Sequence, residues 1–328
     1  MQFQPVKKTL LKRLADGRFH SGEALARELG LTRSAVWTMV RELAALGLEI
    51  RSLRGRGYRM PQPLELLDAA VIRARLSARA AALLESLEVH DQLDSTNGEL
   101  QRAGTAARGV RVCLAECQTA GRGRLGRSWQ SPFAGNLSLS LSWRMHDPAA
   151  LAGLSLAVGV AAVRVLRAIG AEQVGLKWPN DLLWQGRKLG GILLEAAGEA
   201  NGSFAVIIGI GLNGHLPQSW SDRIEQPCTD LRQVLGGIPL ARNGLTAHLL
   251  GELLELLDDY PQRGLTDYLD EWRRYHCQLG RSALLQQGDR QIAGVIAGID
   301  EQGQLLLDTA EGLRAFASGD VRLRLDGG

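Results

Sequence analysis

Residues 177–195 have the sequence KWPNDLLWQGRKLGGILLE, in which charged and polar motif residues interrupt short apolar runs. We predict strands at Val174–Trp178 and Gly191–Glu195, where apolar residues cluster. Lys188 follows Asp181 by seven positions, enough for a hairpin that directs both side chains into one cleft. There, a lysine would stabilise charge developing on a carboxylate or phosphate, and an aspartate would orient or deprotonate an amine. A surface turn with an ordinary ion pair is the alternative.

A loop rich in glycine and arginine, GRGRLGR at 121–127, lies upstream of this predicted hairpin. It satisfies the GxGxxG pattern of dinucleotide-binding proteins, and Asp147 follows at about the spacing of their ribose-binding acid. The loop leads through Ser128 and Trp129 into a strand, however, so no helix N-terminus is available to hold a pyrophosphate. Its glycines would let backbone amides approach phosphates, and its arginines would neutralise anionic oxygens. A solvated basic loop or a nucleic-acid contact is the alternative.

Two polar features flank the loop. Asp94–Asn97, with the sequence DSTN, offers compact donors and acceptors for a polar heterocycle and is equally suited to cap a helix. Asn136–Trp143 alternates leucine with serine, which predicts a strand with two different faces.

The four cysteines lack metal-ligand spacing, so we predict no protein-bound metal site.

The first sixty residues carry 12 Lys and Arg against 5 Asp and Glu, a balance of +7, whereas the remainder carries a balance of −4. Helix caps and glycine stops predict three helices with a short turn between the second and third, followed by a wing. The predicted elements are helices at Lys7–Ala15, Gly22–Leu29 and Arg33–Leu46 and strands at Glu49–Leu53 and Tyr58–Met60. This basic module is typical of a winged helix-turn-helix that binds DNA. A docking module that no longer binds DNA is the alternative.

The remaining patterns predict an α+β, multidomain chain. Pro61 and Pro63 bracket a linker, Leu64–Leu87 is predicted to be helical, and Asp147 with Pro148 is predicted to open a helix that runs to Gly170. Further predicted elements are strands at Val110–Glu116 and Phe204–Asn213 and helices at Asn243–Tyr260 and Gly264–Tyr275. Short strands of a small antiparallel barrel or sandwich are predicted at Ala283–Gln286, Ile292–Ile299, Gln304–Leu307 and Val321–Leu325. We therefore predict domains at 1–63, 64–279 and 280–328.

Six segments, in the order DSTN, ECQTAGRGRLGRSWQSP, NLSLSLSW, KWPNDLLW, RKLGGILLE and IGIGLN, are similar to those of biotin protein ligases. With HSGEALARELGLTRSAVW in front of them, nearly the whole chain resembles the bacterial bifunctional biotin ligase/biotin operon repressors. The resemblance implies an N-terminal winged helix-turn-helix DNA-binding domain and a central mixed sheet with helices, of the class II synthetase-like biotin ligase fold. It also implies a small C-terminal SH3-like β-barrel.

The resemblance implies roles for particular residues. Residues matching those that hold the biotin ureido ring are Ser95, Thr96, Asn97 and Gln118. Gly121, Arg122, Gly123 and Arg124 match the loop that closes over biotin and its adenylate, with Arg124 counted among the catalytic residues. Lys188 matches the lysine that contacts the biotin carboxylate and the α-phosphate, and Asp181 the residue that positions or deprotonates the acceptor lysine. Lys177 and Asn180 are expected on the nucleotide side.

The third helix and the wing supply the expected DNA contacts. Residues on the exposed or leading face of the helix, expected to meet the major groove, are Arg33, Ser34, Trp37, Thr38 and Arg41. Arg54 and Arg56, at the tip of the wing, are expected to meet phosphate or the minor groove.

The implied reaction has two steps and uses biotin, ATP and the Mg²⁺ that accompanies the nucleotide. Biotin and ATP give biotinyl-5′-AMP, and a lysine of the biotin carboxyl carrier protein of acetyl-CoA carboxylase then takes the biotin. The resemblance further implies a homodimer when the adenylate is bound, with the adenylate as corepressor at biotin operator DNA. We expect a cytoplasmic protein with no membrane association, because the N-terminus lacks an apolar signal-peptide core and Leu151–Ile169 contains two arginines.

Several positions depart from the family pattern. Thr119 and Leu125 stand where relatives often carry Gln and a basic residue, and Leu216–Asp230 matches a mobile nucleotide-covering loop poorly. Trp220 is a candidate aromatic lid in that segment. Two other functions stay open: a transcription factor that binds a biotin-like effector without chemistry, and a lipoate ligase.

Overall fold

The first sixty residues form three helices and a two-stranded wing. The computed structural model describes residues 2–104, 108–146, 151, 153–200, 203–319 and 321–325. The elements of this part are α1 (Pro5–Leu14), α2 (Gly22–Leu29), α3 (Arg33–Ala45), β1 (Arg51–Leu53) and β2 (Gly57–Arg59). The Ser21 and Thr32 hydroxyls accept hydrogen bonds from the Ala24 and Ala35 amides at 3.0 and 3.2 Å, as N-caps of α2 and α3. The predicted winged helix-turn-helix is confirmed.

The central part is built on a seven-stranded mixed sheet. Its elements are α4 (Ala69–Arg73), α5 (Ala78–Leu83), β3 (Leu84–His90), α6 (Thr96–Ala103), β4 (Val110–Ala115), β5 (Gly121–Arg122), β6 (Ser128–Trp129), β7 (Asn136–Met145), α7 (Leu154–Ala168), β8 (Val174–Lys177), β9 (Asp181–Trp184), β10 (Arg187–Ala200), β11 (Ser203–Asn213), α8 (Gln218–Ser221), α9 (Leu231–Val234), α10 (Arg242–Arg263) and α11 (Thr266–Tyr275). The strand order is β3-β4-β7-β11-β10-β9-β8, and only the β3–β4 pair is parallel.

The prediction that Leu64–Leu87 is helical is wrong in part. Asp68 and Ser77 cap two short helices, α4 and α5, and the chain then enters the edge strand β3. The alanines and leucines of this segment favour helix, but parallel pairing with β4 overrides that preference from Leu84 onward. The predicted helix start at Asp147 and Pro148 lies outside the described residues, and the described helix α7 begins at Leu154.

Strand β7 has a buried face on each side of the sheet. Its leucines join the main core with α7 and α10, whereas Ser138, Ser140 and Ser142 are buried on the opposite face, toward α6. The layer of helices therefore covers one face of the sheet, and the small polar side chains leave room on the other.

None of the described helices combines the length and apolar composition that crossing a bilayer would require.

The C-terminal part is a five-stranded antiparallel sheet. Its strands are β12 (Ser282–Gln287), β13 (Arg290–Ile299), β14 (Leu305–Thr309), β15 (Gly312–Phe316) and β16 (Val321–Leu325), in the order β15-β14-β13-β12-β16. The sequence did not predict β15, because four of its five residues are exposed and only Phe316 is buried. The Trp178 indole donates to the Gly303 carbonyl at 3.0 Å and joins this sheet to the central part.

A buried ion pair joins β4, β7, α10 and the linker after the wing. Arg242 lies 2.7 Å from a Glu116 carboxylate oxygen, and their side chains are 7% and 1% exposed. The guanidinium also donates to the carbonyls of Glu65 and Asn136, at 2.8 and 2.9 Å. The other Glu116 oxygen accepts from the Leu67 amide. Four segments of the chain thus meet at one pair of charges.

Replacing Arg242 by Met should lower the free energy of unfolding by about 3–5 kcal/mol, because it leaves the negative charge of Glu116 buried without a positive charge beside it. Urea unfolding monitored by tryptophan fluorescence would measure the loss. The double variant Arg242→Met/Glu116→Gln, in which neither charge remains, should recover a large part of it. Equal stability of Arg242→Met and the wild type would show that the ion pair does not hold these segments.

Candidate functional site

A cleft opens on the serine face of the central sheet, where the motif segments converge. The residues that line it come from the start of α6, the 118–130 loop, the turn before β9, and strands β10 and β11. Among those predicted from the sequence are Ser95, Thr96, Asn97, Gln118, Arg122, Gly123, Arg124, Lys177, Asn180, Asp181 and Lys188. Gly121 lies beside the cleft, paired with Trp129 in the short β5–β6 ladder.

The floor of the cleft is a chain of hydrogen bonds that begins at the N-terminus of α6. Ser95 caps this helix by accepting from the Gly98 amide at 3.3 Å. Gln118 accepts from the Thr96 amide at 2.8 Å and from its hydroxyl at 3.1 Å, and the Gln118 amide nitrogen lies 3.2 Å from the Ser138 hydroxyl. DSTN therefore serves both as a helix cap and as cleft lining, the two roles that the sequence left open.

Asn97 is held from three sides. Its amide oxygen lies 2.5 Å from the hydroxyl of the fully buried Ser140, and its nitrogen donates to Glu195 at 2.6 Å. A Cβ at Gly209 would come within 2.3 Å of the Asn97 oxygen, so this position of β11 must lack a side chain. A Cβ at Gly211 would similarly meet the Trp129 ring at 2.6 Å. The glycines of β11 thus make space for the cleft's polar and aromatic side chains.

The arginine loop is tied to the central part of the chain and to its C-terminal part. Arg122 donates to Gln101 at 2.9 Å and lies 3.2 Å from the same Glu195 oxygen that holds Asn97. Arg124 donates to Asn180 at 3.3 Å and to backbone carbonyls in the C-terminal part, those of Ser318 and Gly319. The loop therefore bridges the floor, the β8–β9 turn and the C-terminal sheet.

The predicted hairpin is confirmed, and it brings Lys188 and Asp181 together at 2.7 Å. Both side chains are largely buried, at 17% and 13% exposure. Burial lowers the pKa of Lys177; Asp181 opposes this shift, and the positive charges of Lys188 and Arg127 add to it. Lys177, Lys188 and Arg127 thus place several positive charges near the carboxylate of Asp181. This arrangement suits an anionic ligand with several oxygens.

The segment from Leu216 to Asp230 closes the cleft on one side. The Lys188 amide donates to the Pro227 carbonyl at 2.8 Å, and the Thr229 amide donates back to the Lys188 carbonyl at 2.9 Å. Trp220 lies elsewhere: its indole nitrogen is 3.2 Å from the position of a Cβ on Gly47, just after α3. The structure therefore does not support an aromatic lid at Trp220 and places this side chain against the helix-turn-helix.

The third helix and the wing present the predicted DNA contacts to solvent. Exposed residues on α3 are Arg33, Ser34, Trp37, Thr38 and Arg41, and Arg54 and Arg56 are exposed in the turn between β1 and β2. Within the described residues none of these four arginines pairs with a carboxylate. The surface thus carries uncompensated positive charge, as a DNA-binding surface requires.

Comparisons with known proteins agree with this architecture. The Biotin/lipoate A/B protein ligase family matches residues 89–213, the HTH domain residues 6–59, and the Biotin protein ligase C terminal domain residues 279–324. The bifunctional ligase/repressors BirA of Salmonella typhimurium and Escherichia coli are 40% and 39% identical to the chain, each over 99% of both proteins. The chain belongs to the biotin protein ligases, in their bifunctional ligase/repressor form.

A solved structure of a biotin protein ligase supports the same fold. The enzyme of Aquifex aeolicus in complex with biotin and ATP is 28% identical, with a TM-score of 0.62, and the match covers 74% of this chain and 99% of that chain. The match to 99% of the two BirA proteins also includes the N-terminal module, whose winged helix-turn-helix is described above.

Some residues of this ligase's cleft were not singled out from the sequence. Trp129 and Gln130 line the cleft, and Glu195 lies behind Asn97 and Arg122. All three belong to segments that carry the family resemblance, so the signal was present, but their roles depend on contacts between distant strands. Among the described residues, no group of three or more His, Cys, Asp or Glu could hold a metal ion.

Proposed function

We propose that this protein joins biotin and ATP into biotinyl-5′-AMP and transfers the biotin to a lysine of a carrier protein, the biotin carboxyl carrier protein of acetyl-CoA carboxylase. We also propose that it represses a biotin operon, with the adenylate as corepressor. The observation that carries the enzymatic function is the Lys188–Asp181 pair at 2.7 Å, in one cleft with the polar floor and the arginine loop.

The polar floor is proposed to hold the biotin ureido ring through Ser95, Thr96, Asn97 and Gln118. A ureido group has two N–H donors and one carbonyl acceptor, and the floor supplies hydroxyl and amide groups of both kinds. Their mutual hydrogen bonds fix the orientation of each amide before the ligand arrives, which reduces the entropic cost of binding.

In the first step a biotin carboxylate oxygen attacks the α-phosphorus of ATP, and the bond to pyrophosphate breaks. Lys188, Arg122 and Arg124 are proposed to stabilise the charge that develops on the phosphate oxygens. Lys177 and Asn180 are proposed to line the nucleotide side. We propose that Mg²⁺ enters bound to the ATP phosphates, where it offsets their charge.

In the second step the carrier lysine amine attacks the acyl carbon of the adenylate, and AMP leaves. Asp181 is proposed to position this amine or to take its proton. Lys188 lies 2.7 Å from Asp181 and neutralises its charge. If Lys188 moved to the adenylate phosphate, the Asp181 carboxylate would lose its ion pair. Asp181 would then be able to act on the carrier lysine once the adenylate has formed.

The arginine loop, which Arg124 ties to the C-terminal sheet, would exclude water from the labile adenylate.

The proposed domains are 1–63 for DNA binding, 64–279 for catalysis and 280–328 for the C-terminal barrel. A homodimer formed when the adenylate is bound would match the paired half-sites that helix-turn-helix proteins bind.

Replacing Lys188 by Ala should reduce pyrophosphate release from biotin and ATP by about 10²–10³-fold, the loss typical of removing one electrostatic stabiliser. Lys12→Ala, which removes an exposed lysine of α1, is the matched control and should retain full activity. Absence of pyrophosphate release by the intact protein would contradict the ligase function and favour an effector-binding transcription factor. Competition by lipoate with an affinity similar to that of biotin would instead favour a lipoate ligase.

The two contacts of Glu195 can be separated by two substitutions. Glu195→Gln retains an acceptor for Asn97, so biotin affinity should stay near wild type. It loses the negative charge opposite Arg122, which helps to hold the arginine loop, so the adenylate should escape faster. Glu195→Ala loses both contacts and should weaken biotin binding by about 5- to 150-fold, the effect of a polar group left unpaired.

Calorimetric titration with biotin and a trap for released adenylate measure the two effects. Glu172→Gln, at an exposed position before β8, should change neither. Wild-type biotin affinity in Glu195→Ala would show that Glu195 does not position Asn97 for biotin binding.

A further inference from the structure

Trp37 lies on the DNA-facing surface of α3 with about half of its side chain uncovered, at 49% exposure. The opposite side of the helix buries Val36, Val40 and Leu43 in the core of the N-terminal module. Trp37 therefore does not contribute to that core.

Arg41, one turn further along, stacks on this indole. Its guanidinium carbon lies 4.8 Å from the ring centroid, within the range of a cation–π contact. A guanidinium carries five N–H donors, and within the described residues Arg41 forms no ion pair with a carboxylate. The contact with Trp37 thus restrains the Arg41 side chain, and its donors stay available to a partner.

The hydroxyl groups on the same face are engaged within the helix. Thr38 donates to the Ser34 carbonyl at 3.1 Å, and the Ser34 hydroxyl lies 3.0 Å from that of Thr32. In the wing, the Arg56 guanidinium stacks on Phe19 at 4.4 Å. The Trp37–Arg41 pair thus gives α3 an exposed aromatic ring beside a guanidinium that no described carboxylate neutralises.

We infer that Trp37 and Arg41 together recognise a guanine next to a thymine in the major groove. Arg41 donates two hydrogen bonds to guanine O6 and N7, and the Trp37 ring contacts the 5-methyl group of the thymine. In the major groove, guanine is the base that presents two adjacent acceptors, and thymine is the base that carries a methyl group. This inference rests on the DNA-binding function proposed above and adds to it the chemistry of the bases.

The test begins by selecting binding sites from a random duplex library with the full-length protein, in the presence of biotin and ATP. Thymine in the selected site is then replaced by deoxyuridine, which lacks the methyl group, and guanine by 7-deazaguanine, which lacks N7. Binding is measured for the wild type, Trp37→Ala and Arg41→Ala. Arg27→Ala, an exposed arginine on α2, is the matched control, and thermal unfolding followed by circular dichroism confirms that each variant is folded.

At one guanine, 7-deazaguanine should weaken wild-type binding by about 5- to 150-fold, and Arg41→Ala should abolish most of this difference. At the adjoining thymine, deoxyuridine should weaken wild-type binding by about fourfold, the effect of one buried methyl-sized group. Trp37→Ala should bind both duplexes equally, whereas Arg27→Ala should behave like the wild type.

Two results would overturn the inference. If a site is selected but Trp37→Ala keeps the full deoxyuridine effect and Arg41→Ala keeps the full 7-deazaguanine effect, the pair does not recognise these bases and fits a protein-contact surface instead. If no site is selected, the proposed repressor function fails, and the inference fails with it.

Discussion

The buried pair of Arg242 and Glu116 is the constraint on which the site depends. Two residues after Glu116 the chain reaches Gln118, and two residues after Asn136, whose carbonyl Arg242 holds, it reaches Ser138. Gln118 and Ser138 lie 3.2 Å apart in the floor of the cleft. A charge pair outside the cleft therefore fixes the spacing of two groups inside it. Since an unpartnered charge at this depth would be costly, the two segments are not free to separate.

A second constraint is the absence of bulk on one face of the sheet. Serines of β7 and glycines of β11 lie side by side, with Ser140 paired to Gly209 and Ser138 to Gly211. Small side chains leave a space that larger ones would fill, and the hydroxyls give it polarity. The leucines that alternate with those serines pack against the helices, so the same strand serves the core and the site. Stability and binding are thus assigned to opposite faces of one strand.

Features set by local chemistry were predictable from the sequence. The caps at Ser21 and Thr32 located α2 and α3, and the Asp181-to-Lys188 spacing gave the hairpin. Features set by distant contacts were not. Leu84–His90 becomes a strand only because β4 is available as a parallel partner, and Glu195 acquires a role only where β10 passes Asn97 and Arg122. The contacts of Arg124 with the C-terminal sheet span nearly two hundred residues and leave no local signature.

The contact between Trp220 and Gly47 shows that the N-terminal module is not independent of the catalytic part. The segment that carries Trp220 continues to Pro227 and Thr229, which hydrogen-bond the backbone of Lys188. Phe3 stacks on Phe133, and Lys8 pairs with the buried Asp91, across the same boundary. A shortened enzyme without the first sixty residues would expose these surfaces and release one anchor of the segment beside the lysine. The two activities consequently share parts, and a chimera with a different DNA-binding module would have to leave room for the Trp220 indole.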